Sequence, residues 1–288
     1  MADKPANQPP TKATQKSGRA GRNLPAAISV GVLLGAMAIG ILLFAPRWWL
    51  LLLAVAIAVA THEVIRRLRE RDYALPVVPL LLGGQAMIWL TWPFGAAGLL
   101  GAYGGTVVVC MVWRLLGQGL GAPPVNYLRD IAATVLLATW VPMFAAFTAL
   151  LIFADDGGVR VFTVIVTVVF ADIGGYVAGV LFGKHLMVPA ISPKKSWEGL
   201  GGSLLFGIGA AVLTVTFLLG KPAWVGVPLG LMLVITGVLG DLVESQIKRD
   251  LGIKDMGTLL PGHGGLMDRI DAMLPSAVAG WAVLTLLA

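Results

Sequence analysis

The chain has 288 residues, of which 57% are hydrophobic and only 12% are charged, and its mean hydropathy is +0.86. Soluble globular domains carry about 25% charged residues, so this composition excludes a soluble domain, a disordered chain and a nucleic-acid-binding domain. In such a chain the net charge of +6 indicates orientation in a membrane before it indicates an acidic partner. The single cysteine, Cys110, excludes an intramolecular disulfide.

Residues 1–23 are rich in Pro, Lys, Ala, Gln and Gly, which predicts a disordered, basic cytoplasmic tail. The remainder, 24–288, is predicted to be one integral membrane domain, because a spanning helix needs about 20 mostly apolar residues and such windows follow one another closely. The fold class is therefore all-α, a polytopic transmembrane helical bundle of about nine spans. The windows are 24–45, 48–64, 74–92, 94–113, 131–153, 159–182, 200–219, 224–243 and 272–287. The second, which ends near His62 and Glu63, and the ninth, which contains Pro275, are the weakest.

Lys and Arg residues fall unevenly on the two sides of this arrangement. Eighteen lie on the side of the N-terminus, and only Arg47, Arg160 and Lys221 lie on the other. Because cytoplasmic loops hold the excess of basic residues, the N-terminus is predicted to be cytoplasmic. The absence of an organelle-targeting signal favours a bacterial inner membrane. The long, charged loops 183–199 and 244–271 place the functional residues on the cytoplasmic side.

Asp172 is a carboxylate inside an otherwise apolar run, 161–182. A charged residue at the centre of a membrane helix is unfavourable by roughly 2.5–3.5 kcal/mol, so it normally faces a bundle interior or a polar cavity and has a partner. Asp172 is accordingly a candidate binding residue. An interhelical hydrogen bond without a chemical role, close to Gly174, Gly175 and Gly179, is the alternative.

A second polar segment, 191–199, precedes the seventh predicted helix. Ammonium groups and amides at a helix start both favour anions, so a phosphate-binding role is plausible for this segment. Paired lysines in a cytoplasmic loop also act as topology determinants and contacts for lipid headgroups, and that alternative stays open. The candidate binding residues here are Ser192, Lys194, Lys195, Ser196 and Glu198.

The segment 241–271 is the most informative part of the chain. Asp241, Glu244, Ser245 and Lys248 recur at intervals of three and four, so they share one face of a helix that leaves the membrane. Asp268, on the following helix, could converge with Asp241 on a hard cation such as magnesium, whose ligands are commonly one or two carboxylates plus substrate phosphates. The turn 261–265 would bring backbone amides close to a ligand. A merely solvated, salt-bridged loop is the alternative, and it does not explain the glycines around His263.

This segment resembles the motif of the phosphatidate cytidylyltransferase family, also called CDP-diacylglycerol synthases. The segments 171–174 and 192–199 are similar to further parts of the family pattern, with Ser196 where threonine is more usual. The resemblance is strong over roughly the last 120 residues and rests on hydropathy alone before that. The matching residues are Ser245, Lys248, Arg249, Lys254, Asp255, Gly257, Leu260, Pro261, His263, Gly264, Gly265, Asp268, Arg269 and Asp271.

The resemblance implies transfer of a cytidylyl group from CTP to phosphatidic acid, giving CDP-diacylglycerol and pyrophosphate, with magnesium as cofactor. Our hypothesis is that Asp241 and Asp268 bind the metal, with Asp271 as a third ligand or as a partner of the ligands. The predicted catalytic residues are Asp241, Asp268, Lys248, Arg249 and Asp271. Predicted substrate-binding residues in this segment are Ser245, His263, Gly264, Gly265 and Arg269, beside Asp172 and the residues of 191–199. A homodimer is an open alternative for the assembly.

Three other functions are compatible with parts of the sequence. A polyprenol kinase or a CDP-archaeol synthase would share the membrane setting and the nucleotide, but the full motif argues against both. A CDP-alcohol phosphotransferase would need an aspartate-rich motif that the sequence lacks. A transporter could explain nine spans and Asp172, although no internal inverted repeat is visible and the charges concentrate near one end of the chain.

Overall fold

The computed structural model describes residues 24–117, 119, 121–259 and 264–288. The predicted tail, 1–23, and His263 lie outside the described residues. Within them the chain is a bundle of helices with one small antiparallel hairpin, so the predicted all-α membrane fold is confirmed. The elements are α1 (Leu24–Phe44), α2 (Trp49–Arg69), α3 (Val77–Trp89), α4 (Thr91–Leu116), α5 (Tyr127–Ala138), α6 (Phe144–Ile152), α7 (Gly157–Phe182), β1 (Leu186–Val188), β2 (Ser192–Ser196), α8 (Trp197–Phe217), α9 (Ala223–Asp250), α10 (Met267–Ile270) and α11 (Met273–Leu287).

Seven helical segments of the described chain are long and apolar enough to cross a membrane. Each of the nine predicted windows overlaps an apolar helix, but two of these are shorter, namely Gly35–Phe44 and Val77–Trp89. The windows expected to be weakest are not the short ones. A 3-10 turn extends the second to Pro46–Arg69, and α10 extends the ninth to Met267–Leu287. The helix that matches the third window, α3, has only 13 residues.

Proline and glycine explain the irregular points along the helices. The helical segment at the fifth window, Tyr127–Ile152, is long enough to cross a membrane. It passes through a π turn, Thr139–Met143, which contains Pro142. A proline in a helix interior removes a backbone hydrogen bond and displaces the preceding turn, so a local change of helix type at this point is expected. In α4, Gly95 adopts a φ of 55°, which marks a kink near the start of the helix.

Most described basic side chains gather at one end of the bundle, here called the basic end. Hydrogen bonds between helix ends show that these ends lie together. Arg67 donates to Met256 O, Arg71 donates to Leu251 O and Arg129 donates to Asp72 O. At the opposite end Arg160 of α7 donates to Leu284 O of α11 at 2.9 Å. The helices therefore run alternately between two ends, and the basic loops between them share one end.

The helices that carry the polar motifs pack closely because glycines line their contacts. A Cβ at Gly174 of α7 would lie 2.5 Å from the carbonyl oxygen of Gly202 in α8. A Cβ at Gly226 of α9 would lie 2.4 Å from Cα of Val212 in α8. Small residues let membrane helices approach to backbone contact, where van der Waals packing holds them together. This packing fixes α7, α8 and α9 as a unit and thereby fixes the polar residues at their basic ends.

Candidate active site

Three carboxylates from α9 and the α10–α11 junction converge at the basic end. One oxygen atom each from Asp241, Glu244 and Asp271 lies within 4.8 Å of the others. Asp241 and Glu244 are three residues apart on α9 and so share a face, and Gly240 lets the neighbouring helix approach, since a Cβ there would lie 2.6 Å from Asp271 O. We call Asp241, Glu244 and Asp271 the carboxylate cluster.

Burial makes unpaired negative charge on the carboxylate cluster unfavourable. Glu244 is fully buried and Asp271 is 9% exposed, whereas Asp241 is only half-buried. Oε1 of Glu244 has no hydrogen-bond donor among the described residues. Buried carboxylates normally have a donor or a cation, because an unpaired charge in a low dielectric is strongly unfavourable. The donor set is all oxygen, which suits a hard divalent cation such as magnesium.

Lys248 joins the carboxylate cluster to Asp268. Its Nζ donates to Oε2 of Glu244 and lies 3.0 Å from Oδ1 of Asp268. The ammonium group therefore neutralises part of the negative charge on two buried carboxylates, and its side chain is only 16% exposed. In this arrangement Lys248 faces the protein's own carboxylates.

The carboxylate of Asp268 is occupied by donors from the preceding loop. Oδ2 accepts from the backbone N–H of Gly265 at 2.8 Å and of Met256 at 3.0 Å, and Oδ1 also accepts from Met256 at 3.1 Å. With Lys248 included, Asp268 has three donors, and its side chain is 3% exposed. Asp268 was predicted to be a metal ligand. In the structure its carboxylate instead anchors the loop before α10.

Glu63 of α2 supports the same loop and was not among the predicted site residues. Its Oε2 accepts from the backbone N–H of Met267 at 2.9 Å. Gly257 and Gly265 leave room for it, because a Cβ at either position would come within 2.1 or 2.6 Å of its carboxylate oxygens. The sequence did contain a signal for this role, because Glu63 is a carboxylate within an apolar window. The same argument identified Asp172 as a candidate.

The opposite side of the carboxylate cluster is bounded by Lys195 and Asp172. Nζ of Lys195 lies 2.6 Å from Oδ2 of Asp241, and Ser245 donates to Oδ1 of the same residue at 3.4 Å. Asp172 of α7 interacts electrostatically with both Lys195 and Asp241. The structure therefore brings together predicted residues from three separate segments of the chain around Asp241.

Comparison with known proteins adds an independent observation. The sequence profile described as "Cytidylyltransferase family" matches residues 25–287. The chain belongs to the cytidylyltransferase family. Among curated relatives, proteins named phosphatidate cytidylyltransferase from Mycobacterium bovis and Mycobacterium tuberculosis are 59% identical over 98% of this chain, covering 96% and 90% of their own lengths. A protein of the same name from Haemophilus influenzae is 44% identical over 36% of this chain and 38% of its own length.

Several residues of the cytidylyltransferase motifs make contacts away from the carboxylate cluster. Ser196 caps α8, because its Oγ accepts from the backbone N–H of Gly199 at 3.1 Å. Glu198 accepts from Nδ1 of His185 at 2.6 Å. Ser192 and Lys194 lie in β2, where Ser192 pairs with Val188 and Lys194 is exposed.

The remaining motif residues line the basic end. Arg249 donates through Nε to Ile191 O at 2.5 Å, which ties the end of α9 to the hairpin. Arg269 is exposed on α10. Gly264 adopts a φ of 88°, a conformation that favours glycine, and a Cβ there would lie 3.1 Å from Oδ2 of Asp268. His263, which was predicted to bind substrate, lies outside the described residues.

Proposed function

We propose that this chain transfers the cytidylyl group of CTP to phosphatidic acid, producing CDP-diacylglycerol and pyrophosphate. The observation that carries the proposal is the carboxylate cluster at the basic end of a membrane-embedded cytidylyltransferase bundle. Relatives named phosphatidate cytidylyltransferase that match almost the whole chain support the choice of acceptor. The reaction is part of phospholipid biosynthesis, and the membrane location suits a lipid acceptor.

In the proposed reaction a phosphate oxygen of phosphatidic acid attacks the α-phosphorus of CTP. A new bond forms between that oxygen and the α-phosphorus, the bond from the α-phosphorus to the bridging oxygen breaks, and pyrophosphate leaves with the bond's electron pair. Such a transfer depends mainly on positioning and on neutralising negative charge. Lys195 is only 22% exposed beside Asp241, so it is suited to hold a phosphate oxygen in a fixed place.

Magnesium is proposed as the cofactor, held by Asp241, Glu244 and Asp271. Oε1 of Glu244, which has no donor within the described part of the chain, and the all-oxygen donor set fit such an ion. When bound, the ion would supply positive charge to the phosphates of CTP. Asp268, predicted with Asp241 as a metal ligand, is instead proposed to anchor Lys248 and the loop, because its oxygens already accept hydrogen bonds from three donors among the described residues.

The phosphates of CTP are proposed to bind at exposed cations of the basic end, among them Lys194, Arg249 and Arg269. Lys194 lies on the hairpin, Arg249 ties the end of α9 to it, and Arg269 is exposed on α10. Because cytoplasmic loops of membrane proteins hold the excess of Lys and Arg, we place the basic end in the cytoplasm and the protein in the bacterial cytoplasmic membrane. A homodimer remains a prediction.

Pyrophosphate release by the purified protein tests the proposed activity. Release should require CTP, phosphatidic acid and magnesium together, and neither ATP nor GTP should replace CTP. Asp241→Asn should abolish release, whereas Asp250→Asn, an exposed aspartate on the same helix, should leave it unchanged. Release that continues without phosphatidic acid, or equally with ATP, would contradict the proposed reaction.

Metal binding is tested separately with Mn²⁺ as a probe, by electron paramagnetic resonance. The unmodified protein should bind the ion, and Glu244→Gln should weaken binding by at least about tenfold because it removes a charged ligand. Asp268→Asn should retain binding as long as the protein is folded. If Asp268→Asn loses the ion and Glu244→Gln keeps it, the assignment of the ligands is wrong.

A further inference from the structure

A groove on the outside of the bundle lies between α2 and α3. Its volume is about 930 Å³. Leu51 and Val55 of α2 line one wall, Leu82 and Trp89 of α3 line the other, and Ala58 leaves space between them. All four large side chains are exposed at the surface of the described bundle. The groove is therefore an apolar channel open towards the hydrocarbon of the bilayer.

The polar side chains in the apolar part of the groove are already satisfied. Nε2 of Gln85 donates to Ala54 O at 3.0 Å, and Nε1 of Trp89 donates to Oε1 of Gln85 at 3.3 Å. Each bond joins groups of the protein itself, so neither side chain needs a polar ligand. Because an apolar wall without unpaired polar groups favours hydrocarbon over water, this part of the groove suits acyl chains.

The other end of the groove is basic. Arg66 and Arg67 both pair with Glu70, at 3.3 and 3.0 Å, so two guanidinium groups share one carboxylate. The side chain of Arg66 is 69% exposed and can reach a ligand. Glu63 also lines this end; its Oε2 accepts from the backbone N–H of Met267, whereas its buried Oε1 has no donor among the described residues. A phosphate placed at Arg66 would accept hydrogen bonds from its exposed guanidinium group.

The groove is longer than one leaflet of a membrane is deep. From Leu51 to Arg67, α2 rises about 24 Å, at 1.5 Å per residue. The hydrocarbon core of a bilayer is about 30 Å thick, so one leaflet is about 15 Å. A lipid with its headgroup at the basic end would therefore find apolar walls along the whole depth of its leaflet.

The floor of the basic end belongs to the loop that Asp268 anchors. Met256, Gly257, Thr258 and Leu259 line the groove. The carbonyl oxygen of Met256 accepts from Nε of Arg67 at 2.9 Å, while its N–H donates to Asp268. A single residue thus connects the groove to the network around the carboxylate cluster.

We propose that this groove binds the acyl chains of phosphatidic acid, with the lipid phosphate at Arg66. The inference rests on the proposed function and assigns a site for its lipid substrate. A second exposed groove, between α7 and α8, is lined by apolar residues such as Phe162, Phe170 and Leu213 but has no basic side chain in its lining. It offers nothing to hold a phosphate, so the α2–α3 groove is the one that matches the whole lipid.

Filling the groove tests the proposal by its dependence on chain length. Ala58→Trp should raise the KM for dioleoyl phosphatidic acid about tenfold, the effect of displacing roughly two methylene groups from an apolar contact. The KM for dihexanoyl phosphatidic acid, whose chains are too short to fill the groove, should stay within about twofold. Ala97→Trp, at an exposed position of α4 outside the groove, should change neither KM. An unchanged KM for the dioleoyl lipid, or an equal rise for both lipids, would overturn the proposal.

Photo-crosslinking of the unmodified protein decides the question even if Ala58→Trp does not fold. Phosphatidic acid with a diazirine in its acyl chain should label peptides that contain residues 51–59 and 81–89, as located by mass spectrometry. Labelling confined to 162–214, the α7–α8 groove, would overturn the proposal. Failure of the groove proposal can be distinguished from failure of the proposed function. Turnover of dihexanoyl phosphatidic acid reports the reaction for a substrate whose chains are too short to fill the groove.

Discussion

Replacing Asp268 by asparagine should destabilise the protein more than its position near the surface of the bundle suggests. The carboxylate accepts from Lys248 at 3.0 Å, from the N–H of Gly265 at 2.8 Å and from the N–H of Met256 at 3.0 Å. Asparagine keeps one acceptor oxygen, but its NH₂ group donates and cannot accept, so at least one of these bonds is lost and Lys248 loses a charged partner.

The magnitude follows from the charge and the burial of the side chain, which is 3% exposed. Hydrogen bonds to charged groups contribute about 1.5–3 kcal/mol each, and removing one partner of a buried ion pair destabilises by about 3–5 kcal/mol. Because asparagine retains part of the network, we expect a loss of about 3 kcal/mol. For a chain of this size that loss corresponds to a fall in Tm of about 6–12 °C.

Thermal unfolding in detergent, followed by tryptophan fluorescence, measures the change. Asp250→Asn is the matched control, since Asp250 is exposed and, among the described residues, accepts only from Gln246. Its substitution should alter the free energy of unfolding by no more than about 0.5 kcal/mol. If Asp268→Asn leaves the Tm at the control value, the carboxylate does not anchor the loop and the account of Asp268 is wrong.

Three further predictions concern the packing of the bundle. Asp130→Ala should destabilise the protein by about 3–5 kcal/mol, because it leaves the buried Arg114 without the carboxylate that lies 2.9 Å away. Urea unfolding in micelles measures this free energy, and an unchanged value would refute the prediction. Gly226→Ala should lower the Tm and Gly101→Ala should not, because a Cβ would clash with Val212 at the first position and meet nothing within 4 Å at the second. Ser196→Ala should remove the α8 cap and about 1 kcal/mol of stability, which an unchanged Tm would refute.

Hydropathy and charge were sufficient to predict the bundle and its basic end. The apolar windows mark where helices lie because a membrane helix must satisfy its backbone internally, whatever its neighbours are. The same patterns could not predict helix ends, so the extension of α2 beyond Glu63 and the 13-residue α3 were not foreseen. Those ends depend on contacts with other segments, such as the bond from Met267 to Glu63.

The sequence indicated which residues lie near the candidate site, but not which of them bond to one another. Spacing on α9 placed Asp241 and Glu244 on one face, and the structure brings Asp271 to them. That Asp268 accepts backbone N–H groups could not be predicted, because donors in an irregular loop have no sequence pattern. Glu244 was seen on the correct face but was not assigned to the metal, since only the fold shows its unpaired oxygen.

Transfer of label from CTP to lipid tests the central claim most directly. The purified protein is incubated with CTP labelled at the α-phosphate, magnesium and dioleoyl phosphatidic acid, and the lipid fraction is extracted and analysed. The account predicts a labelled CDP-lipid that disappears when phosphatidic acid is omitted and when Asp241 is replaced by asparagine. A folded protein that transfers no label, or an Asp241→Asn variant that transfers it at the unmodified rate, would contradict the account.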